Sequence, residues 1–332
     1  MVVVGAGLMG RWHADAAVRA GGYIAAVVDR DLARAQSLAK RYSTSIARNR
    51  LGAALAERKT SVVHLCTPPA THESLACEAM EAGCHVLVEK PLTPALDSTR
   101  RLFDFAAAHR VLLCPVHQFM FQPGTLRIFR VLPRLGPVRH VDLVTCSAGA
   151  DGRSERVRDQ VAFDILPHPF SLLARILGTQ FTGMDWHVGR AAAGELRLSG
   201  VASGVTAGVV ISMSGRPTLN LLRVVAERGS VSSDLFHGFA TVEKGTVSRG
   251  RKILRPLLTS TVNIAAAAGN LGSRLIDREL AYPGLRELVR RFYLAAAGDG
   301  VSPISPAETL AVAAARDYAI ASCRMNAGPR TR

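Results

Sequence analysis

The sequence predicts an α/β protein in two parts. The first is a doubly wound parallel sheet with helices on both faces. The second is an α/β domain built on an open, mostly antiparallel sheet. Three observations carry this reading. Gly5-Ala6-Gly7-Leu8-Met9-Gly10 stands between a short valine strand and a helix. Short β-branched runs alternate with helical stretches over the first third of the chain, as βαβ units do. After about residue 118 the pattern changes to longer alternating stretches, each with one apolar face. The expected domains are therefore 1–118 and 119–332.

The elements follow in order. Val2 to Val4 is a strand and Leu8 to Arg19 a helix; Tyr23 to Asp29 is a strand and Leu32 to Tyr42 a helix. Val62 to Cys66, counted as the fourth strand, leads into a helix whose apolar positions include Leu75, Met80 and Ala82. His85 to Val88 is the fifth strand, followed by a helix to about His109 and a strand over Val111 to Pro115. These strands are continuous apolar runs, as a sheet covered on both faces requires.

In the second part, Val138 to Ser147 alternates, and Phe170 to Leu177 is a helix stopped by Gly178. Val201 to Met213 reads as one long strand. Val205, Val209, Ile211 and Met213 lie on one face, and Gly204, Thr206, Gly208, Ser212 and Ser214 on the other. The small-residue face suits contact with the sheet of a second copy. Glu227-Arg228-Gly229-Ser230 reads as a hairpin turn. Over 249–274, Arg249, Arg251, Lys252 and Arg255 precede Leu257, Leu258, Val262, Ile264 and the Ala265–Ala268 run. This segment is expected to be a packed helix or crossover, with an interfacial helix resting on a membrane as the sharper alternative. Leu285 to Ala297 and Pro306 to Arg324 are the last helices.

Composition narrows the function. With 332 residues, 48% hydrophobic and 20% charged, the chain is neither disordered nor collagen-like. No apolar run reaches the roughly 18 residues of a membrane span. The start shows no signal-peptide pattern, although the short first strand raises the expectation of a truncated amino end. The formal net charge is +15, but only five of the 41 basic residues are lysine and the arginines are scattered. That distribution reads as a solvated basic surface and not a nucleic-acid footprint. A basic cleft would still suit a phosphorylated substrate. Cys66, Cys77, Cys84, Cys114, Cys146 and Cys323 form no CxxC pair, so free thiols in a reducing cytoplasm are expected, with no disulfide and no metal site.

Three motifs carry chemistry. In the glycine run, Gly5 permits a tight turn, Gly7 allows backbone to approach a pyrophosphate, and Gly10 allows close helix–strand packing. The helix amino end, with Leu8 and Met9 in its first turn, then faces the anion. Asp29, nineteen residues after Gly10, would accept bonds from ribose hydroxyls and repel a 2′-phosphate, which favours NAD. Arg30 beside it keeps NADP as the alternative. Second, Glu89-Lys90-Pro91 falls at the carboxyl end of the fifth strand, where doubly wound sheets place their ligand crevice. An ammonium there can stabilise a developing alkoxide. Third, the four-residue spacing of Asp164 and His168 puts them on one face of a helix that begins near Asp164. Imidazole has the right titration range to exchange a hydroxyl proton.

Together, Gly5–Gly10, Cys66-Thr67-Pro68-Pro69 with His72, Glu89-Lys90-Pro91, and Asp164 with His168 resemble the glucose–fructose oxidoreductase/inositol dehydrogenase (Gfo/Idh/MocA) family. The resemblance implies an amino-terminal Rossmann domain, a tightly held nicotinamide cofactor and sugar-like substrates. It also implies homodimers or homotetramers joined through open sheets. By position it makes Lys90 the catalytic lysine and Asp164 and His168 the acid–base pair, and it lines the dinucleotide with Thr67, Pro68, His72 and Glu89. Gln118, Lys90, Asp164 and His168 then face the substrate. Two departures bear on which substrate. Asp159–Phe163 and Leu166 stand where the family often has glycines, and His117-Gln118-Phe119 replaces an aromatic–arginine pair. The expected activity is NAD(P)-dependent oxidation of a secondary alcohol of a sugar, cyclitol or sugar nucleotide, or the reverse reduction. The alternatives are a redox-neutral epimerase or glycosidase that uses NAD, and a non-catalytic dinucleotide-binding partner protein.

Overall fold

The structure is a computed structural model that describes residues 1–42, 46–245, 249–279 and 281–325, without the side chains of 249–252. The strands are β1 (Val2–Val4), β2 (Ala26–Val28), β3 (Ile46–Arg48), β4 (Val62–Leu65), β5 (His85–Val88), β6 (Leu113–Pro115), β7 (Val138–Cys146), β8 (Asp185–Ala192), β9 (Glu195–Ala202), β10 (Val205–Ser212), β11 (Leu219–Ala226), β12 (Gly229–Asp234) and β13 (Phe239–Lys244). The helices are α1 (Leu8–Arg19), α2 (Leu32–Ala39), α3 (Leu51–Glu57), α4 (His72–Glu81), α5 (Leu96–Ala108), α6 (Pro123–Leu135), α7 (Glu155–Ile165), α8 (Pro167–Leu177), α9 (Thr179–Thr182), α10 (Arg249–Ile276), α11 (Leu285–Ala296) and α12 (Pro306–Met325).

The chain divides into two compact units. The first is Met1–Gln118 with Leu285–Ala314; the second is Phe119–Gly284 with the chain from Ala315 on. The first unit holds a parallel six-stranded sheet in the order β3-β2-β1-β4-β5-β6, the doubly wound Rossmann order. Val3 of β1 pairs with Val27 on one side and His64 on the other. The central strands are buried on both faces. Val2, Val4, Val63, Leu65, Val86 and Val88 pack against α3, α4 and α5, while Val3 and Val27 pack toward α1 and α2. Each such buried side chain contributes roughly 1.5–3 kcal/mol.

The Leu285–Ala314 segment, expected in the second domain, is part of the first unit. The reason is its apolar face. Leu285, Leu288, Val289 and Phe292 are buried, and α11 packs on α1. The fit is close at Gly22, where a Cβ would stand 2.7 Å from the Tyr293 ring.

The second unit has a seven-stranded sheet in the order β13-β12-β11-β7-β10-β9-β8. Only the β7–β10 pair is parallel. The expected single strand over Val201–Met213 is instead parts of two. Ser203 and Gly204 both take positive φ and turn the chain between β9 and β10. The Val205, Val209, Ile211 and Met213 face is buried, as its alternation predicted. The hairpin turn falls at Glu227-Arg228, where Ala226 pairs with Gly229.

The 249–274 segment is helical but not packed as expected. Most of its large apolar side chains are exposed. The Arg249, Arg251 and Lys252 side chains lie outside those described. No helix among the described residues is long and apolar enough to cross a membrane. None of the six cysteines is in a disulfide.

Candidate active site

The dinucleotide half of the predicted site is built at the carboxyl ends of the parallel strands. The glycine turn follows β1, Asp29 follows β2, Thr67-Pro68 follows β4, and Glu89-Lys90 follows β5. Because β2, β1, β4 and β5 are adjacent and parallel, all four loops leave from the same, carboxyl, end of the strands. Three inter-strand steps, about 14 Å, separate the Asp29 end from the Lys90 end.

The glycines meet different demands. Gly5 has φ +97°, and a Cβ there would stand 2.6 Å from the Cys66 carbonyl oxygen. A Cβ on Gly10 would be 1.8 Å from the Gly5 carbonyl oxygen. Both are packing requirements of the turn. A Cβ placed on Gly7 would meet nothing within 4 Å. That open side is where a phosphate can approach the backbone. No side chain caps α1, and its first turn carries no acid. The uncapped N–H groups and the positive end of the helix are thus available to an anion. The residues present fit a dinucleotide pyrophosphate.

Asp29 stands half-buried after β2. Its carboxylate accepts the Ala6 N–H at 2.7 Å and the Asp31 N–H at 2.9 Å. It therefore ties the glycine turn to β2 and keeps lone pairs for ribose hydroxyls. Arg30 is exposed beside it. Thr67 and Pro68 lead into a 3₁₀ turn over Pro69–Thr71, with the Thr71 hydroxyl donating to Thr67 Oγ1 at 2.8 Å. His72, predicted to line the dinucleotide, is fully buried. Its Nε2 lies 2.8 Å from the Thr67 carbonyl, and its Nδ1 lies 3.0 Å from that of Pro91 and 3.2 Å from that of Leu92. His72 thus clamps two site loops together and offers no surface to a ligand.

Glu89 is only 7% exposed. Its Oε2 accepts the Lys90 N–H at 3.1 Å, and its Oε1 meets His13 Nε2 at 3.1 Å. Burial alone would raise its carboxyl, but the His13 bond, with the His13 and Lys90 charges, outweighs that and holds it below its ordinary value. His13 Nδ1 lies 3.1 Å from His64 Nδ1, and His64 Nε2 lies 3.2 Å from the Tyr293 hydroxyl. One proton arrangement satisfies this chain with Glu89 ionised. Tyr293 donates to His64, His64 donates to His13, and His13 donates to Glu89. Burial pushes the Tyr293 hydroxyl up, so it stays a donor, and burial followed by His13 holds His64 well below its ordinary value. The sequence reading missed this chain, although His13, one helical turn past Gly10, was visible on the buried side of α1.

The acid–base half lies in the second unit. Asp164 and His168 do not share a helix: α7 ends at Ile165 and α8 begins at Pro167, with Leu166 between them. The prolines at 167 and 169 suit the first turn of a new helix and not the interior of one that began at Asp164. Asp164 accepts from Gln160 Nε2 at 2.9 Å, and its charge acts on the buried Arg316 of α12, which sequence reading also missed. Asp159 anchors α7 by accepting from Arg190 Nη2 and the Gly194 N–H, both at 2.8 Å. The half-buried His168 ring packs on Phe119, centroids 4.5 Å apart. Gln118 is buried at the end of the first unit's main segment, and its Oε1 has no hydrogen-bond partner among the described residues. A groove of about 820 Å³ between α10 and β11–β13 contains none of these residues.

The first unit is thus a dinucleotide-binding Rossmann domain. More particularly, residues 1–117 match the model of the GFO_IDH_MocA oxidoreductase family, NAD-binding Rossmann fold. A stretch of 99 residues is 37% identical to an uncharacterised oxidoreductase of Synechocystis and covers 30% of this chain and 27% of that protein. Another of 187 residues is 32% identical to inositol 2-dehydrogenase 4 of Saccharopolyspora erythraea and covers 55% of each. These matches therefore span between about a quarter and about half of the relatives' lengths. The fold of the whole chain resembles that of the WlbA dehydrogenase from Bordetella pertussis, a structure in complex with NADH and UDP-GlcNAcA. There the TM-score is 0.75 at 16% identity, over 98% of this chain and 95% of that one.

Proposed function

We propose that the protein is an NAD-dependent dehydrogenase acting on a secondary alcohol of a sugar, cyclitol or sugar nucleotide. The observation that carries this is the alignment, along the carboxyl ends of the parallel strands, of an open glycine turn, the Asp29 carboxylate and a lysine. Gly5, Gly7, Leu8, Met9 and Gly10 hold the pyrophosphate, and Asp29 with Arg30 holds the adenosine ribose. Thr67, Pro68 and the Glu89-Lys90 turn line the nicotinamide end, with His72 bracing them. Bound NAD supplies the hydride acceptor. His168 takes the hydroxyl proton as the carbon is oxidised, and the Lys90 ammonium stabilises negative charge that develops on oxygen. Asp164, at the end of α7 and four residues before His168, is a positioning residue within the field of Arg316. Gln118 offers its amide to a substrate hydroxyl. Pairing of two copies through the open face of the second sheet belongs to the same reading.

The test begins with the purified protein. A dinucleotide released on denaturation should be identified by mass spectrometry as NAD. The protein is then offered NAD with a panel of cyclitols, sugars and sugar nucleotides, and NADH and the carbonyl product are measured together. Stoichiometric NADH and ketone support the reading. An altered sugar without net NADH would make the chemistry redox-neutral, and no dinucleotide binding at all would overturn the reading.

A further inference from the structure

Helix α10 is inverted in its polarity. At about 100° per residue, Ile253, Leu257, Ile264, Leu271 and Leu275 fall within about 40° of one another. All five are 59 to 78% exposed. The residues that fasten the helix to its unit are the polar ones. Arg255 pairs with Glu243 of β13, while Asn270 Nδ2 and Arg274 Nη1 donate to the His237 carbonyl at 3.0 and 3.2 Å. Ordinary amphipathic helices do the reverse and bury the apolar stripe.

Charge selects the occupant. Over Arg249–Ile276 there are five basic residues, three of them in the first turn, and not one Asp or Glu. The whole chain carries +15. A second copy would bring like charge to this face, whereas an anionic surface would be attracted to it. The helix is about 42 Å long, and its apolar stripe is too narrow and too interrupted to span a bilayer.

We propose that α10 docks the protein on an anionic phospholipid surface. The helix lies in the plane of the headgroups, with the Ile253–Leu275 stripe in the acyl boundary and its basic start among the phosphates. This proposal is independent of the activity assigned above.

Flotation of the full chain with vesicles tests it. At low salt the protein should co-float with phosphatidylglycerol/phosphatidylcholine vesicles and not with phosphatidylcholine alone. Combined Leu257→Ser, Ile264→Ser and Leu271→Ser, all at exposed positions, should abolish co-flotation and leave the circular dichroism melt unchanged. Combined Arg249→Gln, Arg251→Gln and Lys252→Gln should weaken binding by about a hundredfold. Failure of the parent to float with anionic vesicles overturns the proposal, as does undiminished flotation of the serine variant. If the parent self-associates without lipid, ignores the vesicles, and becomes monomeric on serine substitution, a second copy is the occupant and the lipid proposal falls.

Discussion

Replacing His13 by alanine should expose how strongly the first unit depends on one hydrogen bond to a buried carboxylate. Glu89 is 7% exposed and His13 is fully buried, and they meet at 3.1 Å. Removing the imidazole leaves an ionised carboxylate in the interior with only the Lys90 N–H as a described donor. Breaking a buried pair in this way costs about 3–5 kcal/mol. For a domain of this size that lowers Tm by about 10 °C. The pH dependence has a definite sign. In the parent, the Glu89 carboxyl is held below its ordinary value of 4.5, so its contribution is present above that pH and is lost as pH falls through the lowered value. In the variant, burial acts without the imidazole and raises the carboxyl, so the variant is worst at neutral pH and recovers as Glu89 takes up a proton. Circular dichroism melts at about pH 7.5 and about pH 5 should therefore show a deficit that shrinks on acidification. His13→Gln, which restores a donor, should recover part of it. A Tm within about 2 °C of the parent, or a deficit equal at both pH values, would refute the dependence of the buried carboxylate on His13.

Three further outcomes follow from the same geometry. His64 is held well below 6.5 by burial and then by His13, so it stabilises the fold above pH 6.5 and that contribution is lost as pH falls. His64→Asn should flatten the acid limb by up to about 1.4 kcal/mol per pH unit, read from urea melts at a series of pH values. Gly10→Ala forces a Cβ to within 1.8 Å of a backbone oxygen and should abolish soluble protein, whereas Gly7→Ala meets nothing within 4 Å. The Gly7 variant should melt like the parent yet bind NAD at least about tenfold more weakly by calorimetry, because the methyl occupies the ligand's side of the turn. Asp29→Ala should weaken NAD binding by about 1.5–3 kcal/mol, while unchanged affinity would show that the carboxylate only braces Ala6.

The first unit was legible where local sequence decides structure. Gly5–Gly10 and the continuous Val and Leu strands leave few alternatives, because only a strand–turn–helix reconciles them. The sequence was silent where a contact spans the chain. His13, His64 and Tyr293 are separated by 51 and 229 positions, and no spacing rule joins them. The same holds for the return of α11 to α1, which rests on buried faces of two helices read separately. Two errors have local causes. Alternation continued smoothly through Ser203-Gly204, and only the positive φ values reveal the turn. The Asp164–His168 spacing matches one helical turn, but Pro167 starts a new helix. At α10 the sequence showed both an apolar stripe and a basic start. It could not show that polar residues make the attachments and leave the stripe outward.

The assignment of chemistry turns most directly on Lys90. Lys90→Met keeps the aliphatic stem and removes the ammonium, so the melt and the NAD affinity should stay near those of the parent. Turnover on whichever alcohol the protein oxidises should fall by about a hundredfold or more, and the loss in combination with His168→Asn should be less than the product of the two single losses. Near-parental turnover by Lys90→Met with NAD bound would contradict the proposed dehydrogenase mechanism while leaving the Rossmann fold intact.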